Sequence, residues 1–196
     1  VKENLTEAVG IKRDRKLKTT LGVQCLLLPD NMAQLPDMAR QCREIGVDYL
    51  TIKPYSQHLH SENTFQIDYE AMLTLENEVK QYETDRFSVY FRANAMKKVH
   101  QEKSYRQCLG LPFMTHIDAK GNVWPCVAHI GTKEFCYGNI YEQSFEEIWE
   151  GTRRQEILHQ LHKLDINKVC REACRLDEIN RYLDDLKNPG EHVNFI

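Results

Sequence analysis

The first half of the chain changes repeatedly between apolar runs and helically spaced apolar positions. Residues 20–28 are a nearly continuous apolar run, which favours a strand buried on both faces. Residues 47–53 and 87–92 predict two further strands. The predicted helices between them carry apolar residues on one face, which are Leu35, Met38, Cys42 and Ile45 in the first and Met72, Leu75, Val79 and Tyr82 in the second. Asp68 is a plausible cap for the second helix, and Gly46 ends the first.

This order of strand, helix, strand, helix and strand predicts an α/β fold. Alternation of this kind implies parallel strands joined by right-handed crossovers. The chain has no glycine-rich phosphate loop, so a dinucleotide-binding interpretation lacks its usual fingerprint. We therefore expect one parallel sheet in the first half, with the helix-free side and one edge exposed.

The second half predicts a smaller, cysteine-rich α+β module with a β-hairpin. Phe113, Thr115 and Ile117 alternate before a turn at residues 118–121, and Val123 leads the chain back. Gly121 suits a turn position with positive φ, where a Cβ atom is unfavourable. Later, Ser144-Phe-Glu-Glu147 reads as a capping box that begins a helix, which Gly151 interrupts.

Four cysteines stand around this hairpin in a spaced pattern. Cys108 and Cys126 form C-x12-G-x4-C, and Cys170 and Cys174 form C-x3-C. If the second pair opens a helix, its two thiols lie on one face. Two converging pairs make a four-thiolate site, which suits zinc or an iron–sulfur cluster. The plainer alternative is four buried free thiols, because cysteine packs as a small hydrophobe.

This cysteine frame resembles the twitch and SPASM domains of radical S-adenosylmethionine enzymes. The stretch from Gly138 to Trp149 also resembles the family between its cysteine pairs. The chain's ending, residues 174–181 and 192–196, resembles members found among enzymes that modify sugars and natural products. The resemblance implies one auxiliary [4Fe–4S] cluster held by Cys108, Cys126, Cys170 and Cys174. It also implies two domains: residues 1–104 as the last three strands of a partial (β/α) barrel, and residues 105–196 as the cluster module.

The resemblance has one large departure, which concerns the cluster that cleaves S-adenosylmethionine. The family holds that cluster with a C-x3-C-x2-C motif, and this sequence contains none; Cys25 and Cys42 are too far apart to supply it. We therefore expect the C-terminal part of such an enzyme, inactive alone, whose N-terminal segment is supplied in cis or, in a split enzyme, in trans. Its substrate would be a small molecule or a peptide.

Strand ends supply the candidate cofactor-binding residues, because ligands of α/β folds bind at the carboxyl ends of strands. This rule selects Gln24, Lys53, Tyr55 and Arg92, which in the family would face S-adenosylmethionine or substrate. A snorkelling surface cation is an equal alternative for Lys53 and Arg92. His58 and His60 follow the second strand, where they either line the site or are solvated. No catalytic residue is identified.

Composition narrows the remaining classes of function. A net charge of −3 gives no electrostatic case for nucleic acid, and no apolar run approaches the length of a membrane span. Seven cysteines are an odd number, which favours metal-bound thiols in a reducing cytosol over disulfides. We expect Cys25, Cys42 and Cys136 to be structural. The alternative function is a non-catalytic zinc-binding interaction module, in which four thiolates bind zinc and so stabilise a small fold.

Overall fold

The computed structural model describes residues 1–57, 61–62, 65–99, 101–172 and 174–191. By their contacts these residues form two units. Unit 1 lies within residues 1–57 and 62–101, and unit 2 within residues 102–196 together with Ser61. The division falls after Gln101, whereas the sequence predicted domains 1–104 and 105–196. None of the helices in the described part of the chain has the length and apolar character that a membrane span requires.

Unit 1 contains a parallel sheet with helices between its strands. Its elements are α1 (Lys2–Asp14), β1 (Gly22–Leu27), a 3₁₀ helix (Pro29–Gln34), α2 (Leu35–Ile45), β2 (Tyr49–Pro54), α3 (Leu75–Lys80), β3 (Ser88–Phe91) and α4 (Ala93–Lys97). The strands lie in chain order and pair in parallel, with Gly22 opposite Tyr49 and Tyr49 opposite Ser88. The predicted α/β fold with a parallel sheet is confirmed.

The sheet of unit 1 buries one face only. Leu27, Leu50 and Ile52 lie on the face that packs against helices and are fully buried. On the other face Leu26 is 42% exposed and Tyr90 is 55% exposed. The run over residues 20–28 is therefore not buried on both faces within this unit, and the helix-free side of the sheet is exposed as expected. Side chains alternate across a strand, so the face of β1 that carries Gln24 and Leu26 is left open.

Of the two helices that the sequence predicts between the strands of unit 1, the first is predicted more accurately than the second. In α2, Leu35 and Cys42 are buried, and Gly46 follows with φ of +90°. The second helix is shorter than predicted, because α3 begins at Leu75 and residues 69–74 are turns. The Asp68 carboxylate accepts from the N–H groups of Glu70 and Ala71. The main chain beyond them closes i→i+3 bonds, which wind more tightly than an α-helix.

Unit 2 consists of a small antiparallel sheet and short helices. Its strands and helices are β4 (His116–Ile117), β5 (Asn122–Trp124), β6 (Gly138–Asn139), α5 (Phe145–Glu150), α6 (Thr152–His162), α7 (Ile166–Val169) and α8 (Asp177–Lys187), with 3₁₀ turns at Leu111–Phe113, Val127–His129 and Lys133–Phe135. The strand order is β4-β5-β6. Its core includes Val123, Tyr137, Ile157 and Leu161.

Two local predictions about unit 2 are wrong. Phe113 lies in a 3₁₀ turn that contains Pro112, not in a strand, and its side chain is 76% exposed. The C-x3-C pair does not open a helix. Helix α7 ends at Val169, and Cys170 has extended backbone angles of −112° and 153°, which cannot continue an α-helical turn. The predicted capping box is present, since Ser144 and Glu147 exchange side-chain to main-chain hydrogen bonds.

Candidate metal centre

One cavity in unit 2 brings the four predicted ligands together. Cys108, Cys126, Cys170 and Cys174 all line it, and the rest of its wall consists of apolar side chains and His129. The cavity encloses about 30 Å³. All seven cysteines of the chain are free thiols. Reduced sulfur atoms from three separate segments of the chain therefore surround one small, mostly apolar space.

Each thiol reaches the cavity from the end of a short element. Cys108 precedes the turn at Leu111–Phe113. Cys126 follows β5 and begins the next turn with extended backbone angles of −161° and 171°. Cys170 lies directly after α7, and Cys174 precedes α8. Because all four lie between elements rather than within them, their side chains can converge without sharing a helix face.

The connection between β4 and β5 is held by one carboxylate. Asp118 accepts from the N–H groups of Lys120 at 2.8 Å and Asn122 at 3.0 Å, and from Trp124 Nε1 at 3.0 Å. Hydrogen bonds, with that from the Asn122 side chain the strongest, lower the pKa of Asp118 to about 2. Gly121 closes the turn with φ of +81°. This turn fixes the direction in which the chain runs back to Cys126.

Three of the four sulfur atoms accept N–H groups. The donors are Asn180 Nδ2 and the main chain of Gly110 and Leu111 for Cys108, the main chain of Ala128 and His129 for Cys126, and the main chain of Leu176 for Cys174. The two measured N–H to sulfur distances, from Asn180 and from Leu176, are both 3.4 Å. Donors placed around a sulfur atom stabilise its thiolate form, which is the form that ligates metals.

Burial acts in the opposite direction on these thiols. Desolvation raises the pKa of Cys108 and raises that of Cys126 to about 11. Cys170 donates a hydrogen bond to Cys174, so the pKa of Cys170 rises while that of Cys174 falls. Four thiolates in this space would repel one another. Bound metal cations would offset that repulsion and the cost of burying the charge.

The arrangement of the thiols bears on which metal suits them. Tetrahedral zinc draws its four sulfur atoms to about 2.3 Å from one centre. Within the ranges that the structure describes, no three His, Cys, Asp or Glu side chains are placed to hold a single metal ion. A [4Fe–4S] cluster is held by four cysteines that ligate different iron atoms, so its thiols stand further apart. Four cysteine sulfur atoms are a ligand set that zinc and an iron–sulfur cluster both accept.

Comparison with protein families finds a match, which covers the segment that contains the four cysteines. Residues 108–175 match the family model described as SPASM, an iron–sulfur cluster-binding domain. The match begins at Cys108 and ends one residue after Cys174, so it contains all four cysteines of the cavity. The resemblance inferred from the cysteine frame is confirmed, and the match supports an iron–sulfur cluster-binding role for this segment.

Two solved structures are similar to most of this chain. The chain is similar to SuiB of Streptococcus suis, with a TM-score of 0.51 and 13% identity over 76% of this chain and 38% of SuiB. SuiB bound to S-adenosylmethionine matches with a TM-score of 0.50 and 15% identity over 81% of this chain and 41% of that chain. At these identities the likeness shows the fold. The chain spans about two fifths of SuiB's length, and no curated protein matches its sequence.

Sequence reasoning missed two buried polar residues of unit 2. Arg154 is 7% exposed and Asn180 is 2% exposed. Arg154 donates to the carbonyl oxygens of Pro112 at 3.0 Å and Trp149 at 3.2 Å, and its guanidinium lies 3.7 Å from the centre of the Trp149 ring. Helical spacing could have revealed both. Arg154 stands three residues before buried Ile157, and Asn180 stands four residues after buried Leu176.

The candidate cofactor-binding residues of unit 1 share the open face of the sheet. The strand register puts Gln24 beside Thr51 and Lys53 beside Leu26. Arg92 directly follows β3, two residues after Tyr90, and therefore falls on the same face. Gln24 and Arg92 are exposed, and Lys53 is half-buried. Their role in binding stays a prediction.

Tyr55 lies just beyond the carboxyl end of β2. Its ring packs edge-on against Phe65, with ring centres 5.1 Å apart. Its N–H donates to the hydroxyl oxygen of Tyr69 at 2.6 Å, and that hydroxyl donates in turn to the carbonyl oxygen of Leu27 at 3.4 Å. Tyr69 therefore ties the ends of β1 and β2 together. Buried Tyr69 was not selected from the sequence, because a single tyrosine in a polar loop gives no spacing signal.

The remaining candidates lie away from the thiol cavity or outside the described residues. Cys42 is buried in unit 1, and Cys25 in β1 is half-buried. The thiol of Cys136 donates to the carbonyl oxygen of Gly138 at 3.5 Å. These cysteines do not line the thiol cavity. His58, His60 and residues 192–196 lie outside the described residues.

Proposed function

We propose that this chain is the C-terminal part of a radical S-adenosylmethionine enzyme and that its SPASM domain holds one auxiliary [4Fe–4S] cluster. The proposed ligands are Cys108, Cys126, Cys170 and Cys174. One observation carries the proposal, namely that these four thiols line one cavity inside the segment that matches an iron–sulfur domain. Seven free thiols accord with a reducing, cytoplasmic compartment.

The protein's own groups have definite tasks in this proposal. Cys108 and Cys126 bring ligands from the two ends of the segment that contains the β4–β5 connection, and Cys170 and Cys174 bring two more from the opposite wall. The apolar wall, with Leu111 and Leu161, limits access of water to the sulfur atoms. When bound, the cluster supplies a centre that accepts or donates one electron near the substrate side of the enzyme.

Unit 1 would contribute the last three strands of a partial (β/α) barrel. Its open sheet face carries Gln24, Lys53 and Arg92, and we propose that they, with Tyr55, face S-adenosylmethionine or substrate in the intact enzyme. Lys53 and Arg92 suit a carboxylate or a phosphate. SuiB, which shares the fold, has been solved with S-adenosylmethionine bound. The substrate class we propose is a small molecule or a peptide, including sugars and natural products.

The ligand assignment is tested by anaerobic reconstitution of single alanine variants. Replacing Cys108, Cys126, Cys170 or Cys174 should abolish or sharply reduce iron retention, because each loss leaves one iron without its thiolate. Cys42→Ala is the matched control, since Cys42 is buried in unit 1 and does not line the cavity. Full iron in all four variants would refute the assignment.

The same preparation separates a cluster from zinc. The cluster predicts bound iron together with acid-labile sulfide and a visible absorption band that dithionite bleaches. A zinc module predicts a colourless protein that holds one zinc ion per chain after purification. Bound zinc without iron or sulfide, retained through anaerobic reconstitution, would favour the non-catalytic module instead.

The role as part of a larger enzyme has its own test. Cleavage of S-adenosylmethionine needs an iron with an open coordination site, and four thiolate ligands leave none. The reconstituted chain with dithionite and S-adenosylmethionine should therefore form no 5′-deoxyadenosine above a no-protein control. Adding a segment that carries a C-x3-C-x2-C motif, in cis or in trans, should restore it. Turnover by these 196 residues alone would contradict the proposal.

A further inference from the structure

Asn180 joins helix α8 to the first cysteine of the thiol cavity. Its side chain is 2% exposed, although it carries both a hydrogen-bond donor and an acceptor. Nδ2 donates to Cys108 Sγ at 3.4 Å, and Oδ1 accepts from the N–H of Gly110 at 2.7 Å. Both ends of the amide are therefore used on one short segment, Cys108–Gly110, that lies about seventy residues earlier in the chain.

We propose that Asn180 is a positioning residue for the Cys108 thiolate and raises the reduction potential of the cluster bound there. This inference rests on the proposed function, because it requires a cluster at Cys108. Oδ1 fixes the loop that carries the thiol, and Nδ2 directs an N–H group at its sulfur atom. Hydrogen bonds to cysteine sulfur are one of the means by which proteins set the potential of an iron–sulfur centre.

The physical reason lies in the charge on the sulfur. Reduction adds an electron to the cluster, and part of that charge falls on the thiolates. An N–H donor aimed at the sulfur stabilises the reduced form more than the oxidised form. Cys108 is buried, so water does not screen this contact and cannot readily replace it. The bond should therefore act more strongly than a similar one at a solvated thiolate.

The other donors to Cys108 do not duplicate Asn180. They are the main-chain N–H groups of Leu111 and Gly110, from the loop that the thiol itself begins, and the N–H of Gly110 is shared with Asn180 Oδ1. Asn180 lies outside that loop, on helix α8. The Tyr105 hydroxyl donates to the carboxylate of Asp177, on the same helix, at 2.8 Å. The orientation of the donor is therefore set by the packing of α8.

Asn180→Asp separates the two tasks of the side chain. Aspartate keeps the shape of the residue and an oxygen for the N–H of Gly110, but its ionised form has no N–H group for Cys108. Asn180→Leu removes both contacts and also the hydrogen bond between the Asn180 amide and Tyr105. Asn139→Asp is the matched control, since the Asn139 amide also bonds main-chain groups, those of Lys120 and Tyr141. The described contacts of Asn139 include no thiol.

The test is the midpoint potential of the anaerobically reconstituted proteins, measured by redox titration and paramagnetic resonance. Both Asn180 variants should shift to more negative potential, with the shift in Asn180→Asp at least as large because it adds negative charge. Both should also release iron to a chelator about 10-fold faster or more, as loss of a partner to a ligand typically weakens a metal site. Asn139→Asp should match the wild type in both measurements.

Three outcomes distinguish a positioning role of Asn180 from a purely structural role and from failure of the proposed function. If both Asn180 variants hold a full cluster at the wild-type potential, the proposed role is wrong. If they unfold more easily in urea before reconstitution but keep that potential once loaded, Asn180 is structural only. If the wild type itself takes up no cluster, the proposed function fails, and this role fails with it.

Discussion

The turn at Gly121 yields a prediction whose size can be worked from the structure. Gly121→Ala puts a Cβ on a residue with φ of +81°, a conformation that costs other residues about 1–2 kcal/mol. That Cβ would also lie 2.6 Å from the Tyr141 ring and 3.0 Å from Asn139 Oδ1. Tyr141 is 79% exposed and can move, so the contact should add only about 1 kcal/mol. We expect a total loss of about 2–3 kcal/mol.

Gly131 provides the matched control for the backbone contribution. Its φ is +90°, and an added Cβ would meet nothing within 4 Å. Gly131→Ala should therefore cost only the conformational energy, about 1–2 kcal/mol. In a double variant, Tyr141→Ala should relieve the contact and bring the effect of Gly121→Ala down to the level of Gly131→Ala.

Urea unfolding followed by tryptophan fluorescence measures these losses. Both tryptophans of the chain, Trp124 and Trp149, lie in unit 2, so the signal reports that unit alone. With a typical dependence of about 1–3 kcal/mol per molar urea, Gly121→Ala should lower the midpoint by on the order of 1 M. If it costs no more than Gly131→Ala, or if Tyr141→Ala relieves nothing, the reasoning about this turn is wrong.

Three further predictions concern unit 2. Ser144→Ala removes the cap that bonds the N–H of Glu147 and should destabilise the unit by about 1 kcal/mol in urea unfolding; an unchanged midpoint would contradict the cap. The pKa of Asp118 falls on folding, from 3.8 to about 2, so its contribution is present above pH 4 and lost as the pH falls towards 2. Asp118→Asn should therefore flatten the stability curve in that window, and an equally steep curve would refute this account. Arg154→Leu should cost about 2 kcal/mol or more, because two carbonyl oxygens lose their donor and Trp149 loses its stacked cation; a loss under about 0.5 kcal/mol in urea unfolding would contradict these contacts.

The parallel sheet was predicted well from the sequence because the patterns that indicate its strands and helices involve residues close together in the chain. The apolar runs and the spacing of Leu35 and Cys42 depend only on nearby residues, and Gly46 marks a helix end by its own conformational freedom. Helix α3 was predicted too long, since residues 69–74 wind more tightly than an α-helix and still bury Met72. Periodicity alone does not distinguish these two windings.

The thiol cavity was predicted by a partly wrong route. The C-x3-C pair was expected on one helix face, whereas Cys170 follows α7 and Cys174 precedes α8. The convergence still occurs, because short connections on both sides of the pair turn the chain towards Cys126. The link from Asn180 to Cys108 joins residues 72 positions apart. Without an aligned set of relatives, spacing within the sequence carries no signal for such a contact.

The central claim is that four cysteines hold one fully cysteine-ligated cluster, and paramagnetic resonance of the reduced protein tests it most directly. After anaerobic reconstitution and dithionite, we predict the signal of a reduced [4Fe–4S] centre. Its shape should be the same with and without S-adenosylmethionine, because no iron is left open to bind it. No signal, or a signal that S-adenosylmethionine changes, would contradict the assignment of Cys108, Cys126, Cys170 and Cys174.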